Sequence, residues 1–286
     1  MTDIYFALAV MLVVCIAVFV GGRVVAKRAT KRASITTMVV TLVALLLFIK
    51  FVWDAPILAK LIPLSSVVVL GNFQPPLSAF LAGLASVLIP GGKARRIMFV
   101  APLLAVSLWR GYGRLFEATP PTRERWKGDV CRQTTDATCS AAACATLLRA
   151  HGIASSETEM AELSLTRRDG TTVLGRYRGL VLKTSDTPWR VEPIVNADLT
   201  KLRALAEQPV VISVGLPSDA MGKTDSRYID KYGWQPGLRH TVVLFGFSEN
   251  NQVDIGDPSV GRERWDVDDL KVLWQGNGYR LIPREQ

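Results

Sequence analysis

Four apolar stretches within the first 116 residues decide how this chain can fold. Ile4 to Gly22 carries no charge and is long enough to cross a bilayer, which takes about 20 residues. A second stretch runs from Ile35 to Trp53, with Lys50 near its end, where a long side chain can snorkel. A third extends from Ile62 to Ile89 and is interrupted by Asn72-Phe73-Gln74-Pro75-Pro76; the paired prolines break or kink a helix. A fourth, shorter one covers Ile97 to Trp109. Segments surrounded by lipid must satisfy their own backbone polar groups, so residues 1–116 are predicted to form a bundle of about four transmembrane helices. The first stretch is preceded by Asp3 rather than by Lys or Arg, and no small-residue cleavage site follows it, which favours a retained span over a signal peptide.

Positive charge gives the expected orientation. Arg23, Lys27, Arg28, Lys31 and Arg32 form one cluster, and Lys93, Arg95 and Arg96 a second. Both belong on the cytoplasmic side, which puts the N-terminus outside. Four crossings then put the remainder of the chain outside the cytoplasm as well. No carboxylate or histidine sits inside the apolar runs to mark a transport path, so this half reads as an anchor whose partners are membrane lipids and a membrane protein of unknown identity. The formal net charge of +9 is scattered and partly explained by these flanking clusters. No basic stripe interleaved with aromatics accompanies it, which argues against nucleic acid as a partner.

From Glu117 onward the composition is that of a soluble domain. Residues 117–128, with Pro120-Pro121 and dense charge, read as a linker, and residues 129–286 as one domain. Ser140 to Leu148 is small, apolar and helical in pattern, and Gly152 stops it. Ser156 with Glu159 three residues later is a capping box. Thr172 to Leu182 is predicted helical, as is Asp198 to Ala206 with Asp198 as its cap. Strands are expected at Trp189–Ile194, Pro209–Gly215, His240–Phe247, Gln252–Gly256 and Gly278–Ile282, with a hairpin turn at Glu249-Asn250-Asn251. Helices first and antiparallel strands second is an α+β layout, with the helix after Cys139 packed on the sheet.

Cys139 opens that helix. The positive end of the helix dipole favours thiolate over thiol, and thiolate is the nucleophilic form. Such a nucleophile needs a base and a group to orient the base. The chain has two histidines. His151 lies about 18 Å farther along the helix, at 1.5 Å per residue, and cannot serve. His240 begins a strand after a long polar loop, a sheet-edge position where a base can meet a helix N-terminus. Asp257 ends the partner strand, so the hairpin carries it toward His240, where it can fix the imidazole tautomer. Asp254 faces the other side of that strand. Gln133, six residues before Cys139, can stabilise an oxyanion with its side-chain amide, together with the backbone N–H of Cys139.

Gln133, Cys139, the His151-Gly152 helix end, Asp169-Gly170-Thr171, His240 and Asp257-Pro258 follow in the order and spacing of the bacteriocin-processing, double-glycine-leader cysteine peptidases. The chain resembles that family from Asp129 to Leu281. The resemblance implies a papain-like domain with Cys139, His240 and Asp257 as the triad and Gln133 in the oxyanion hole. It also implies a peptide or protein substrate and no cofactor, while the apolar stretches give the expected multi-pass location in a bacterial inner membrane. Ser140 stands where the family has Gly, and no Walker-type GxxxxGK[ST] occurs in the chain. Ser140 leaves a second reading open, a catalytically inactive peptide-binding module held at the membrane. An amidase acting on cell-wall peptide is a third, using the same residues. Cys131 and Cys144 flank the nucleophile, as a disulfide or as separate buried thiols; their spacing fits no common zinc site. The loop from Leu216 to Arg239 is long for a compact domain and reads as a substrate-facing lid.

Overall fold

The structure, a computed structural model, describes residues 1–284. The chain divides into two compact units, Met1–Glu117 and Ala118–Gln286.

The first unit is helical. It comprises α1 (Thr2–Arg28), α2 (Lys31–Leu47, continued by a π-helical turn at Phe48–Val52), α3 (Ile57–Leu61), α4 (Val67–Leu70), α5 (Gln74–Leu88) and α6 (Lys93–Tyr112). Pro75 and Pro76 occupy the first turn of α5, where a missing N–H costs nothing, so they start a helix rather than kink one. Close approach of α1 and α5 depends on two glycines. A Cβ at Gly22 would lie 2.5 Å from the Phe80 carbonyl oxygen, and one at Gly83 would run into that of Phe19. Beside this contact the Arg23 guanidinium donates to Ser86 Oγ at 3.0 Å.

Among the described residues three segments are long and apolar enough to span a membrane: Thr2–Arg28, Lys31–Val52 and Val67–Leu88. The fourth expected span is not among them. The apolar part of α6, Ile97 to Trp109, rises only about 20 Å at 1.5 Å per residue against a hydrocarbon core of about 30 Å. Lys93, Arg95 and Arg96 fill its first turn.

The second unit carries β1 (Trp126–Lys127), β2 (Val130–Cys131), α7 (Cys139–Ala150), α8 (Glu157–Leu163), α9 (Val173–Lys183), β3 (Trp189–Ile194), α10 (Leu199–Leu205) and β4 (Val210–Val214). After these come α11 (Arg227–Asp230), β5 (His240–Phe247), β6 (Gln252–Asp257), β7 (Gly261–Asp266), α12 (Val267–Leu273) and β8 (Trp274–Pro283). Six strands form one antiparallel sheet in the order β3-β8-β4-β5-β6-β7. The fold is papain-like α+β, with helices packed on an antiparallel sheet. Both expected caps form, Ser156 Oγ accepting from Glu159 N and Asp198 Oδ1 from Lys201 N, and Thr172 Oγ1 adds a third by accepting from Gly175 N.

The helix α7 is buried on every side from Cys139 to Leu148. Its alanines, Ala141 to Ala143 and Ala145, let the backbone sit close to neighbours that a bulkier helix would push away. The apolar side chains of β4, β5 and β6, among them Ile212, Val242, Leu244 and Ile255, form the core of the sheet with Leu202, Leu270 and Tyr228. The strand β5 is central, paired with β4 on one side and β6 on the other. The sheet-edge position expected for His240 is therefore not found. The residue stands at the first position of an interior strand, at the end of the sheet, paired with Val214 of β4, while β6 joins only from Val243 onward.

Candidate active site

The fold brings Cys139, His240 and Asp257 into one chain of contacts. The first residue of α7 meets the first residue of β5, which sets the His240 ring and the Thr241 backbone beside the Cys139 thiol. His240 Nε2 lies 2.9 Å from Asp257 Oδ1, which leaves Nδ1 for the sulfur. The same carboxylate oxygen accepts from Ser259 N at 2.7 Å and from Ser259 Oγ, so the Asp257-Pro258-Ser259 turn fixes its direction. Side-chain exposure is 19 % for His240 and 6 % for Asp257. Trp234 stands edge-on to the imidazole with ring centroids 6.1 Å apart and limits water access to the pair.

Electrostatics favour charge separation. Burial alone would raise the Cys139 thiol, but the hydrogen bond and charge of His240, the Thr241 N–H and the charge of Arg176 overturn this and hold it below its ordinary value. Burial would lower His240, yet hydrogen bonds and charges from Asp257 and Cys139 push it up to about 10. Burial would raise Asp257, and the His240 and Ser259 contacts bring it down instead. These directions favour proton transfer from Cys139 to His240. The α7 terminus adds to it. Thr138 turns its hydroxyl to Thr134 and Thr135 rather than to the helix, so no side chain caps the first-turn N–H groups beside the sulfur.

Gln133 comes to the same place by a different route. Its backbone N–H donates to the Pro258 carbonyl at 2.9 Å, joining the loop before α7 to the Asp257 turn. Arg132 reinforces that join through Nε to Pro258 O and Nη1 to Val260 O. The Gln133 side-chain amide gives one hydrogen to Thr135 O at 3.2 Å and keeps a second. Gln133, His240 and Asp257 all line one cleft of about 700 Å³. Cys139 is 9 % exposed and is not among that cleft's lining residues.

The remaining cysteines are separate. Cys131 and Cys144 are both free and buried, so the disulfide alternative is not realised. Burial pushes each of them up to about 12, which leaves both thiols protonated and unreactive. The loop from Leu216 to Arg239 is mostly exposed and lines the cleft through Tyr232, Trp234 and Arg239, while a few of its residues anchor it. Leu216, Ala220 and Tyr228 are buried, and Tyr228 Oη donates to Asp269 at 2.6 Å.

One residue of this site escaped the sequence reading. Arg176, on α9, is 3 % exposed and donates to Thr241 Oγ1 at 3.2 Å and to Ser213 Oγ at 2.7 Å. Thr241 Oγ1 also meets Ser140 Oγ at 2.8 Å. Ser140, whose place in the motif raised the question of an inactive site, is thus turned into the Arg176 network. A buried guanidinium needs a counter-charge, and among the described residues no carboxylate pairs with it. Its charge lowers the Cys139 thiol, after the larger effects of His240 and the Thr241 backbone, and also acts on Cys144. No pattern in VLGRYRGLVLK separates Arg176 from an ordinary solvated helix face. Replacing Arg176 with Met is expected to raise the titration of Cys139 alkylation and slow acylation at pH 7 by roughly tenfold. Arg176→Lys should recover part of that rate, and unchanged pH profiles in both variants would remove the residue from this role.

Comparison with known proteins gives one family model and several solved structures. The model of the Peptidase_C39 like family matches residues 128–281. The peptidase domain of Streptococcus ComA, a bi-functional ABC transporter involved in a quorum-sensing pathway, is 25 % identical, with 54 % of this chain and 96 % of that one covered and a TM-score of 0.41. A double glycine motif protease from an AMS/PCAT transporter, solved with its leader peptide, is 19 % identical over 59 % of this chain and 100 % of that one, with a TM-score of 0.41. The peptidase C39-like domain of a toxin secretion ATP-binding protein from Vibrio parahaemolyticus is 13 % identical over 53 % of this chain and 100 % of that one, with a TM-score of 0.34. No curated protein matches.

Proposed function

The chain belongs to the Peptidase_C39 like family, and we propose that it is a membrane-anchored cysteine peptidase that cleaves a peptide bond with Cys139 as nucleophile. The observation that carries this reading is the continuous contact from the Cys139 thiol through His240 to Asp257 at the uncapped start of α7. The Cys139 thiolate attacks the scissile carbonyl and a C–S bond forms. The oxyanion is held by the Cys139 backbone N–H and the free hydrogen of the Gln133 amide. The tetrahedral intermediate collapses, the C–N bond breaks, and the amine leaves with the proton from His240. Water then attacks the thioester, His240 takes its proton, and the acid product leaves as the thiolate returns. Asp257 keeps the Nε2 proton in place, so that Nδ1 faces the sulfur throughout.

The AMS/PCAT neighbour was solved with a leader peptide, and a peptide segment is the substrate class proposed here. The test is incubation of the full chain, in detergent, with a peptide library from the cell that makes it, followed by mapping of new peptide termini. Termini that form with the native chain and not with Cys139→Ala support peptidase activity. Their absence from both supports the inactive binding module instead.

The three spanning segments form a multi-pass inner-membrane anchor in this reading, and they alter the expected orientation. With the N-terminus outside, three crossings keep both basic clusters in the cytoplasm and put residues 118–286 there too. Free Cys131, Cys139 and Cys144 suit that reducing compartment. A reporter fused after Pro283 is expected to behave as cytoplasmic; alkaline phosphatase activity at that position would restore the four-span, extracytoplasmic topology.

A further inference from the structure

The cleft beside the candidate triad is one-sided. It opens over His240, Asp257 and Gln133 but does not include the Cys139 sulfur. The acyl half of a cleaved peptide stays bonded to that sulfur, whereas the amine half must take its proton from the His240 imidazole and so departs past it. The cleft therefore lies on the leaving-group side of the scissile bond. Its walls include Tyr232, Trp234 and Trp265, with the two indoles edge-to-face at 6.0 Å. Aromatic faces of this kind attract cations.

Charge on the same walls has one sign in excess. Asp269 is occupied by Arg227 and Tyr228, and Arg264 is paired with Asp254. Asp257 and His240 offset each other. What remains is Asp136, Asp266 and Glu263, whose carboxylate among the described residues meets the neutral Trp265 indole N–H, against Arg239 and, at the edge, Lys231, whose ammonium lies 5.5 Å over the Tyr232 ring. At about 700 Å³ the space is large enough for an extended side chain and its backbone.

We propose that this cleft binds the leaving-group segment of the substrate and selects a cationic side chain, lysine or arginine, close behind the scissile bond. The proposal rests on the cysteine peptidase reading and adds to it the side of the substrate that is recognised and its chemistry.

Acyl transfer tests it without knowledge of the natural substrate. The full chain in detergent is acylated with 4-nitrophenyl acetate: the Cys139 thiolate forms a thioester and 4-nitrophenolate leaves. The thioester is then partitioned between water, giving acetate, and an added amino-acid amide, giving the N-acetyl amide. In each case the free thiol is regenerated, and the proton passes through the imidazole. Argininamide is expected to capture the acetyl group about tenfold better than glutamamide or glycinamide. In Asp136→Asn/Glu263→Gln the ratio of argininamide to glutamamide capture, taken within that variant so that changes in acylation cancel, should fall toward one. Asp136 is exposed on a turn, so its single replacement serves if the double variant does not fold.

No Cys139-dependent nitrophenolate release would overturn the peptidase reading itself. Release with equal capture of all acceptors, or with glutamamide preferred, would overturn the cationic leaving-group proposal alone. An argininamide preference that persists unchanged in the variants would show that the selecting site is not this cleft.

Discussion

A His240→Ala chain is expected to cleave peptide about 10²–10⁴-fold more slowly than the native chain, the range lost when a positioned general acid–base is removed. Two effects combine. The leaving amine has no proton donor within reach, and the thiolate loses its principal stabilising partner. Burial of Cys139 remains after the substitution, so the thiol should titrate above its ordinary value rather than return to it. The defect should therefore shrink as pH rises and more thiolate forms. A pH-independent loss of the same size would mean that His240 acts only as packing. Cys139→Ala gives the background against which both rates are read.

Asp257 is the second large expectation. Replacing it with alanine leaves His240 Nε2 and the Ser259 donors without their shared acceptor. The imidazole is then free to rotate or to place its proton on Nδ1, facing the sulfur. A loss of about 10²–10⁴-fold is expected. Asp257→Asn keeps an acceptor oxygen but no charge, and should recover about tenfold of that loss. The pair also makes a signed prediction for stability. Asp257 is lowered in the folded chain, so its contribution is present above pH of about 4 and is lost as pH falls through its folded value. His240 is raised to about 10, so its contribution is complete below pH of about 6.5 and is lost as pH rises toward 10. Cys139, lowered in the folded chain, contributes in the opposite sense as pH rises, so the comparison is made in Cys139→Ala, which should melt at a higher temperature at pH 6 than at pH 10. Adding Asp257→Ala to that chain should shrink the difference. An equal pH dependence in the two chains would contradict the ion-pair description.

The parts of this molecule that were legible in the sequence are those with a local signature. Cys139 at the head of a small-residue run, the capping box at Ser156 and Glu159, and the alternation of His240 to Phe247 each specify their element from neighbouring residues alone. Asp257 was legible because a hairpin is itself a local rule. It was the turn Glu249-Asn250-Asn251 that carried the acid back to the base. The strand β7 and the helix α12 were not read. Gly261 to Asp266 alternates charged and exposed side chains, and as the outermost strand of the sheet it has one neighbour and little apolar content. The central place of β5 was not legible either, because it depends on β4 pairing with it across the long Leu216–Arg239 loop. Arg176 was hidden for the same reason. A buried cation is recognised only by what surrounds it, and Ser213, Thr241 and Cys139 come from three distant segments. The fourth apolar stretch was read from hydropathy alone; the helix that carries it, α6, opens on Lys93, Arg95 and Arg96 and is not one of the three apolar segments long enough to span among the described residues.

The measurement that tests the central claim most directly is the rate of Cys139 alkylation as a function of pH, in the full chain with Cys15, Cys131 and Cys144 replaced by alanine. An isolated thiol gains reactivity near pH of about 8.5. The thiolate–imidazolium pair predicts reactivity that persists well below that pH in the native site. In His240→Ala this low-pH reactivity should disappear, and the titration should move above the ordinary thiol range. The same ordinary titration with and without His240 would contradict a cysteine nucleophile paired to that base.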